Sequence, residues 1–143
     1  MRVKILLADS AEVREGLLFL LGGGWTQVGP ALQPFAIAGT IEVEWEETNT
    51  RHRLAFTIED GDGAPLMVPG PDGERPVRIE STFDVGRPPG AARGQSFIVP
   101  IAVTLNALPW QAGRRYVVKA ILDDQEEVDR LTFSVRPTLP ARG

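Results

Sequence analysis

The sequence has no cysteine, one histidine, one tyrosine and two lysines. Without cysteine there are no disulfides, no thiol nucleophile and no thiolate metal site, which suits a reducing cytoplasm. Any histidine-dependent nucleophile or metal ligand must be His52. A centre with three histidines cannot form within one chain. Lys4 and Lys119 stand beside thirteen arginines, and the net charge is −4. That balance gives no general attraction to nucleic acid or to an anionic membrane. Long apolar runs are also missing. The opening MRVKILLADS holds four unbroken apolar residues, Ile5 to Ala8. A secretory core needs roughly seven to fifteen, and a membrane-spanning helix needs about 20. The reading is a cytoplasmic protein without nucleic-acid or membrane partners. The glycine motifs of dinucleotide and P-loop sites, and the serine elbow of hydrolases, are likewise missing.

What is present is alternation. Phe35, Ile37, Ile41, Val43 and Trp45 fall on one side of an extended chain, with Thr40, Glu42 and Glu44 on the other. The same period of two runs through Leu54, Phe56 and Ile58, and through Val77, Ile79, Phe83 and Val85. It recurs through Phe97, Val99, Ile101, Val103 and Leu105, through Tyr116, Val118, Ala120 and Leu122, and through Leu131, Phe133 and Val135. Val3, Ile5 and Leu7 suit a first strand, and Leu17 to Leu21 a second strand covered on both faces. Asp9 to Gly16 has the spacing of one capped helical turn. Dense Asp, Gly and Pro at 59–65 and 69–76 mark turns. Residues 86–94 form a longer loop, and 122–129 link the last two strands as a hairpin. Pro100 interrupts its strand's donors, so that strand belongs at an edge or carries a bulge. The 143 residues form one domain, 1–143, with 137–143 as a flexible tail. The fold class is all-β: an immunoglobulin-like antiparallel β-sandwich of about seven to nine strands.

Candidate sites are sparse. Gly22, Gly23 and Gly24 read as a strand that bends where another backbone comes close, with Trp25 packed beyond. The acids Asp123, Asp124, Glu126, Glu127 and Asp129 form a solvated hairpin tip, with calcium binding as the alternative. His52 is in phase with Leu54 and Phe56 and belongs at the rim of the core. Trp110, in a loop, is the tryptophan best placed for exposure. It joins Pro100, Arg87 and Arg93 as a possible interaction surface. His52, Asp123, Asp124 and Glu126 are weaker site candidates. No catalytic, metal or cofactor-binding residue is assigned, and no cofactor is expected.

The stretch VKILLADSAEVREGLLFLLGGGW, followed by FAIAGTIEVEWEETNTRHRLAFTIEDGDG, resembles a family of uncharacterised bacterial β-sandwich proteins. Those proteins open on LLAD…LGGGW and end in LPxxAGxY…FxV. The resemblance runs from Val3 to about Pro137. Where such proteins carry lysine after the glycine at position 16, this chain has Leu17. The ending LPWQAGRRYVVKAILDDQEEVDRLTFSVRP also resembles the last hairpin of immunoglobulin-like domains. The resemblance implies a β-sandwich and supplies no activity. The expected function is a non-enzymatic protein-interaction or assembly module. Its unknown partner is another protein or a second copy, most simply in a homodimer. Small-molecule or carbohydrate binding is the alternative, and a carboxylate-based hydrolase the second alternative.

Overall fold

The computed structural model describes residues 1–138, so part of the expected tail, residues 139–143, lies outside the described residues. The alternating runs become strands of two packed sheets. The first sheet has the order β2-β1-β4-β9, built from β1 (Arg2–Arg14), β2 (Leu17–Gly23), β4 (Phe35–Val43) and β9 (Phe97–Leu105). The second has the order β3-β11-β10-β5-β8. It comprises β3 (Gln27–Val28), β5 (His52–Asp60), β8 (Arg78–Phe83), β10 (Arg115–Leu122) and β11 (Glu126–Val135). These nine strands form the sandwich. A separate two-stranded ribbon, β6 (Met67–Gly70) with β7 (Gly73–Pro76), stands beside it. All ladders are antiparallel except β3 on β11, which is parallel.

The apolar phase read from the sequence faces the core. Phe35, Ile37, Ile41 and Val43 are buried from the first sheet, and Leu54, Phe56, Ile58, Tyr116, Val118, Phe133 and Val135 from the second. Each such large side chain contributes about 1.5–3 kcal/mol through burial. β4 is covered on its other face too, where Ala36 and Ala38 have no exposed surface. Gly39 sits against the backbone carbonyl of Lys4, leaving no room for a Cβ. Small residues there let β1 and β9 close in around β4.

At one end of the sandwich an aromatic cluster fills the core. Trp110 lies 5.5 Å from Phe35 and 5.8 Å from Phe133, ring centre to ring centre. Trp25 meets both phenylalanines edge-on at 5.9 and 5.7 Å. The Tyr116 hydroxyl accepts the Gln111 amide at 2.8 Å, tying the 106–114 loop over the cluster. Trp110 is therefore 4% exposed, against the expectation of an exposed loop residue. The loop folds inward because packing on Phe35 and Phe133 takes a large apolar ring out of water.

Trp45 also departs from its expected strand. β4 ends at Val43, and Trp45–Glu47 form a short 3-10 turn in which Glu47 accepts the Glu44 amide at 2.9 Å. The local carboxylate bond competes with the ladder and wins. The expected helical turn at Asp9 to Gly16 is absent as well. β1 continues to Arg14, and Glu15 and Gly16 take φ of 51° and 74° as a two-residue hairpin turn.

Candidate functional site

β1 changes partner at Ala8. Arg2 to Ala8 pair with β4, whereas Ala8 to Arg14 pair with β2. Beyond Ala8 the hairpin is an arm held to the sheet through β1. The three glycines make the junction. Gly22 and Gly24 take φ of 61° and 90°, a conformation that a side chain disfavours, and the Gly24 amide donates to Leu7 O at 2.7 Å. The strand thus turns off the sheet where its backbone meets β1, and Trp25 packs immediately beyond, as read from the sequence.

The arm is apolar on both faces and open to solvent. Leu17 is 61% exposed, Phe19 47% and Leu21 73%, while Val13 and Leu20 keep 41% and 36%. Full cover was expected for this run. It is lacking because β2 is the last strand of its sheet and Leu17 to Leu21 pair only with the outer half of β1. A shallow groove of about 330 Å³ lies along the arm between Ser10, Glu12, Phe19 and Leu21. The Arg14 guanidinium sits 5.3 Å over the Phe19 ring and pairs with Glu12 at 2.9 Å.

The Glu15-Gly16 turn fixes the phase of the ladder, because a two-residue turn bonds its flanking residues, Arg14 and Leu17, to each other. Partners across β1 and β2 run 8↔23, 10↔21, 11↔20, 12↔19, 13↔18 and 14↔17. Bond-exchanging pairs alternate along an antiparallel ladder. Leu17, Phe19 and Leu21 therefore direct their backbone groups to β1. Leu18 and Leu20 direct theirs to the outer edge, where no strand among the described residues is paired. The ladder lacks a pair between Asp9 and Gly22, where Gly22 takes φ of 61°, and the Gly24 to Leu7 bond lies beyond that break.

The residues marked out in the sequence lie elsewhere. Pro100 is on β9, opposite Thr40, at the other edge of the same sheet. Arg87 stacks on Trp45 at 3.8 Å and donates to Thr48 Oγ1 at 2.6 Å and to the Trp45 carbonyl at 2.7 Å. Those bonds fasten the 84–96 loop. Arg93 is exposed on that loop. Trp110 sits at the Phe35 end of β4 and Arg87 near the opposite end, so the four residues do not form one surface.

His52, Asp123 and Asp124 do come together, at a corner shared by β5 and the β10–β11 turn. Asp123 accepts the Arg53 amide at 2.8 Å and lies 3.2 Å from His52 Nδ1, while His52 Nε2 faces the Glu47 carbonyl at 2.9 Å. Both ring nitrogens thus face acceptors, an arrangement suited to imidazolium. Burial opposes the charge, but the Glu47 carbonyl and the Asp123 carboxylate prevail and raise the His52 pKa. The Arg53 amide, with His52, holds the Asp123 carboxyl below its ordinary value. Asp124 bridges Arg53 at 2.6 Å and Arg78 at 2.7 Å. The acids therefore neutralise neighbouring bases instead of facing an open cation seat. Asp129 accepts the Ile5 amide at 2.8 Å and closes the sandwich between β1 and β11. A bulge between Ala120 and Ile121 aims it there. Glu126 opens β11 opposite Leu122, beside the same turn, and is exposed.

A second concavity, about 530 Å³, lies between the ribbon and the open edges of β8 and β9. Val68, Val77, Ile79, Val103, Leu105 and Leu108 supply its apolar lining. Among the described residues no helix is long and apolar enough to cross a membrane.

Sequence reasoning missed the arm as a surface, although its run LLFLL was in view. The signal was the palindromic apolar pattern beside a turn, on a strand with no charged residue to protect an edge. No curated protein and no solved structure matches the chain. A family model does match, over residues 4–136, and the chain belongs to that family, a family of unknown function (DUF6941).

Proposed function

We propose that this protein is a non-enzymatic interaction module of the bacterial cytoplasm, an immunoglobulin-like sandwich that meets another protein chain through its β1–β2 arm. One observation carries the reading: β2 offers three large exposed apolar side chains, Leu17, Phe19 and Leu21, on a strand whose outer edge is unpaired among the described residues. Proteins that remain alone blunt such edges with lysine, proline, inward charge or a covering segment. LLFLLGG has none of these. The opposite edge is managed differently, with Pro100 removing a donor from β9.

The test compares wild-type protein and Phe19→Lys as bait in the source cell. The reading expects a partner retained by wild type and lost with the variant. A partner retained equally by both contradicts it.

The groove beside the ribbon supports a second reading, binding of an apolar small molecule between β8 and β9. Carbohydrate binding loses its best platform, because Trp110 is buried and Arg87 covers Trp45. A rise in melting temperature with an apolar ligand, abolished by Val103→Glu, would favour this second reading.

A further inference from the structure

We infer that the partner of the arm is a second copy of this chain, with β2 pairing antiparallel to its own counterpart across a two-fold axis at Phe19. The inference rests on the arm being the interaction surface and adds the identity and register of what it binds.

The first ground is the sequence of the strand. Leu17-Leu18-Phe19-Leu20-Leu21 reads the same in both directions. A two-fold interface places one patch against itself, so it requires a self-complementary surface. Antiparallel pairing centred on Phe19 meets that requirement residue by residue. Phe19 faces Phe19 of the other copy, Leu17 faces Leu21, and Leu21 faces Leu17. A strand from an unrelated protein would place no such demand on this order.

The second ground is the phase of the backbone. Leu18 and Leu20 are the residues whose N–H and C=O groups point outward, as fixed by the Arg14 to Leu17 pair at the turn. An axis at Phe19 brings Leu18 opposite Leu20 of the other copy, and Leu20 opposite Leu18. Each of these two pairs can exchange two bonds, about four in all. Phe19 then faces Phe19 as a non-hydrogen-bonded pair, the kind whose side chains stand closer. The other register class, centred between residues, would set outward groups against inward ones.

The third ground is what lies beside the seam. On the Phe19 face, β1 contributes Ser10 beside Leu21, Glu12 beside Phe19 and Arg14 beside Leu17. Pairing of two arms therefore gives a central apolar patch between two polar rows, the usual anatomy of an interface. The half-exposed Val13, Leu17, Phe19, Leu20 and Leu21 offer ~100 Å² each, or ~500 Å², toward the ~800 Å² per partner of a standard interface. The joined backbones and flanking polar rows supply the remainder. Pairing would also cover the run whose composition called for cover.

The experiment is solution mass against concentration for the full chain and two double variants. Wild type should reach twice its 15.6 kDa within the micromolar range. In Leu17→Lys/Leu21→Lys, lysines face lysines at both outer pairs, and the dissociation constant should rise ~100-fold or more. In Leu17→Glu/Leu21→Lys, glutamate faces lysine at both pairs, and the dimer should return. Both variants alter exposed positions, and circular dichroism confirms that each is folded. A wild-type mass of 15.6 kDa at every concentration overturns the inference. The arm reading then still stands or falls on the bait comparison. A dimer indifferent to both variants also overturns it, by placing the contact away from β2.

Discussion

Arg14 and Leu17 lie directly opposite each other across the Glu15-Gly16 turn, and that bonded pair determines which way the backbone of β2 faces. If Leu18 and Leu20 present their amides outward, their exchange must depend on what lies beyond the edge. In the dimer these two amides should be protected from hydrogen exchange. In Phe19→Lys the amides of Leu18 and Leu20 should exchange ~10-fold or more faster. Those of positions 17, 19 and 21, bonded to β1, should change far less. Equal acceleration at all five positions would show that the hairpin itself had opened.

Gly39 lies so close to the Lys4 carbonyl that a Cβ has no place. The obstacle is backbone, which cannot rotate aside. Gly39→Ala should therefore cost about 3 kcal/mol, at the upper end of overpacking changes. Urea denaturation measures this directly, and a loss below about 1 kcal/mol would show that β1 and β4 separate more easily than their packing implies.

Trp110 packs on Phe35 and Phe133 in the core. Trp110→Ala should cost about 3–5 kcal/mol, as expected for removal of a buried aromatic ring. Tyr116→Phe, which leaves the Gln111 amide without its acceptor, should cost about 1–2 kcal/mol. A Trp110→Ala protein as stable as wild type would return that ring to the surface.

His52 gives the fold a pH dependence of definite sign. Its folded pKa is raised above the ordinary 6.5, so its contribution is complete below that value and fades as pH rises through the folded pKa. Asp123 works in the opposite sense. Its folded pKa is below the ordinary 3.8, so its contribution is present above that value and fades as pH falls through the folded pKa. Between the two, the His52–Asp123 contact is at full strength. From about pH 6 to about pH 9 the denaturation midpoint of wild type should fall relative to that of His52→Gln. Parallel profiles would mean that folding leaves the His52 pKa unshifted, and an opposite trend that it is lowered.

The period of two made the core legible before any coordinates. Phe35, Ile37, Phe56, Val118 and Phe133 all face inward as their spacing implies, because one buried face leaves a strand little choice of phase. The edge position of Pro100 followed from its missing donor in the same way. Trp110 was misread because its environment is set by Phe35 and Phe133, residues distant in sequence. Asp9 to Arg14 was misread because helix-capping spacing and strand alternation coincide there, and the Glu15-Gly16 turn favoured the strand. The ion pairs of Asp123 and Asp124 reach back 71 residues to His52 and Arg53, a distance no local pattern records. The arm was a different kind of miss. Its composition was read as a demand for cover, and the chain alone does not meet that demand.

The absence of cysteine from the sequence allows the most direct test of the paired-arm account, because an introduced thiol is the only one in it. Phe19→Cys would place two thiols on residues whose Cα atoms are ~4.5 Å apart across the axis, as in a non-hydrogen-bonded pair and within disulfide range. Ile98→Cys, 70% exposed at the opposite edge of the sheet, is the control. Under mild oxidation the account predicts that the Phe19→Cys chain becomes covalently dimeric while Ile98→Cys forms no covalent dimer. Failure of Phe19→Cys to cross-link, or equal cross-linking of both, contradicts it.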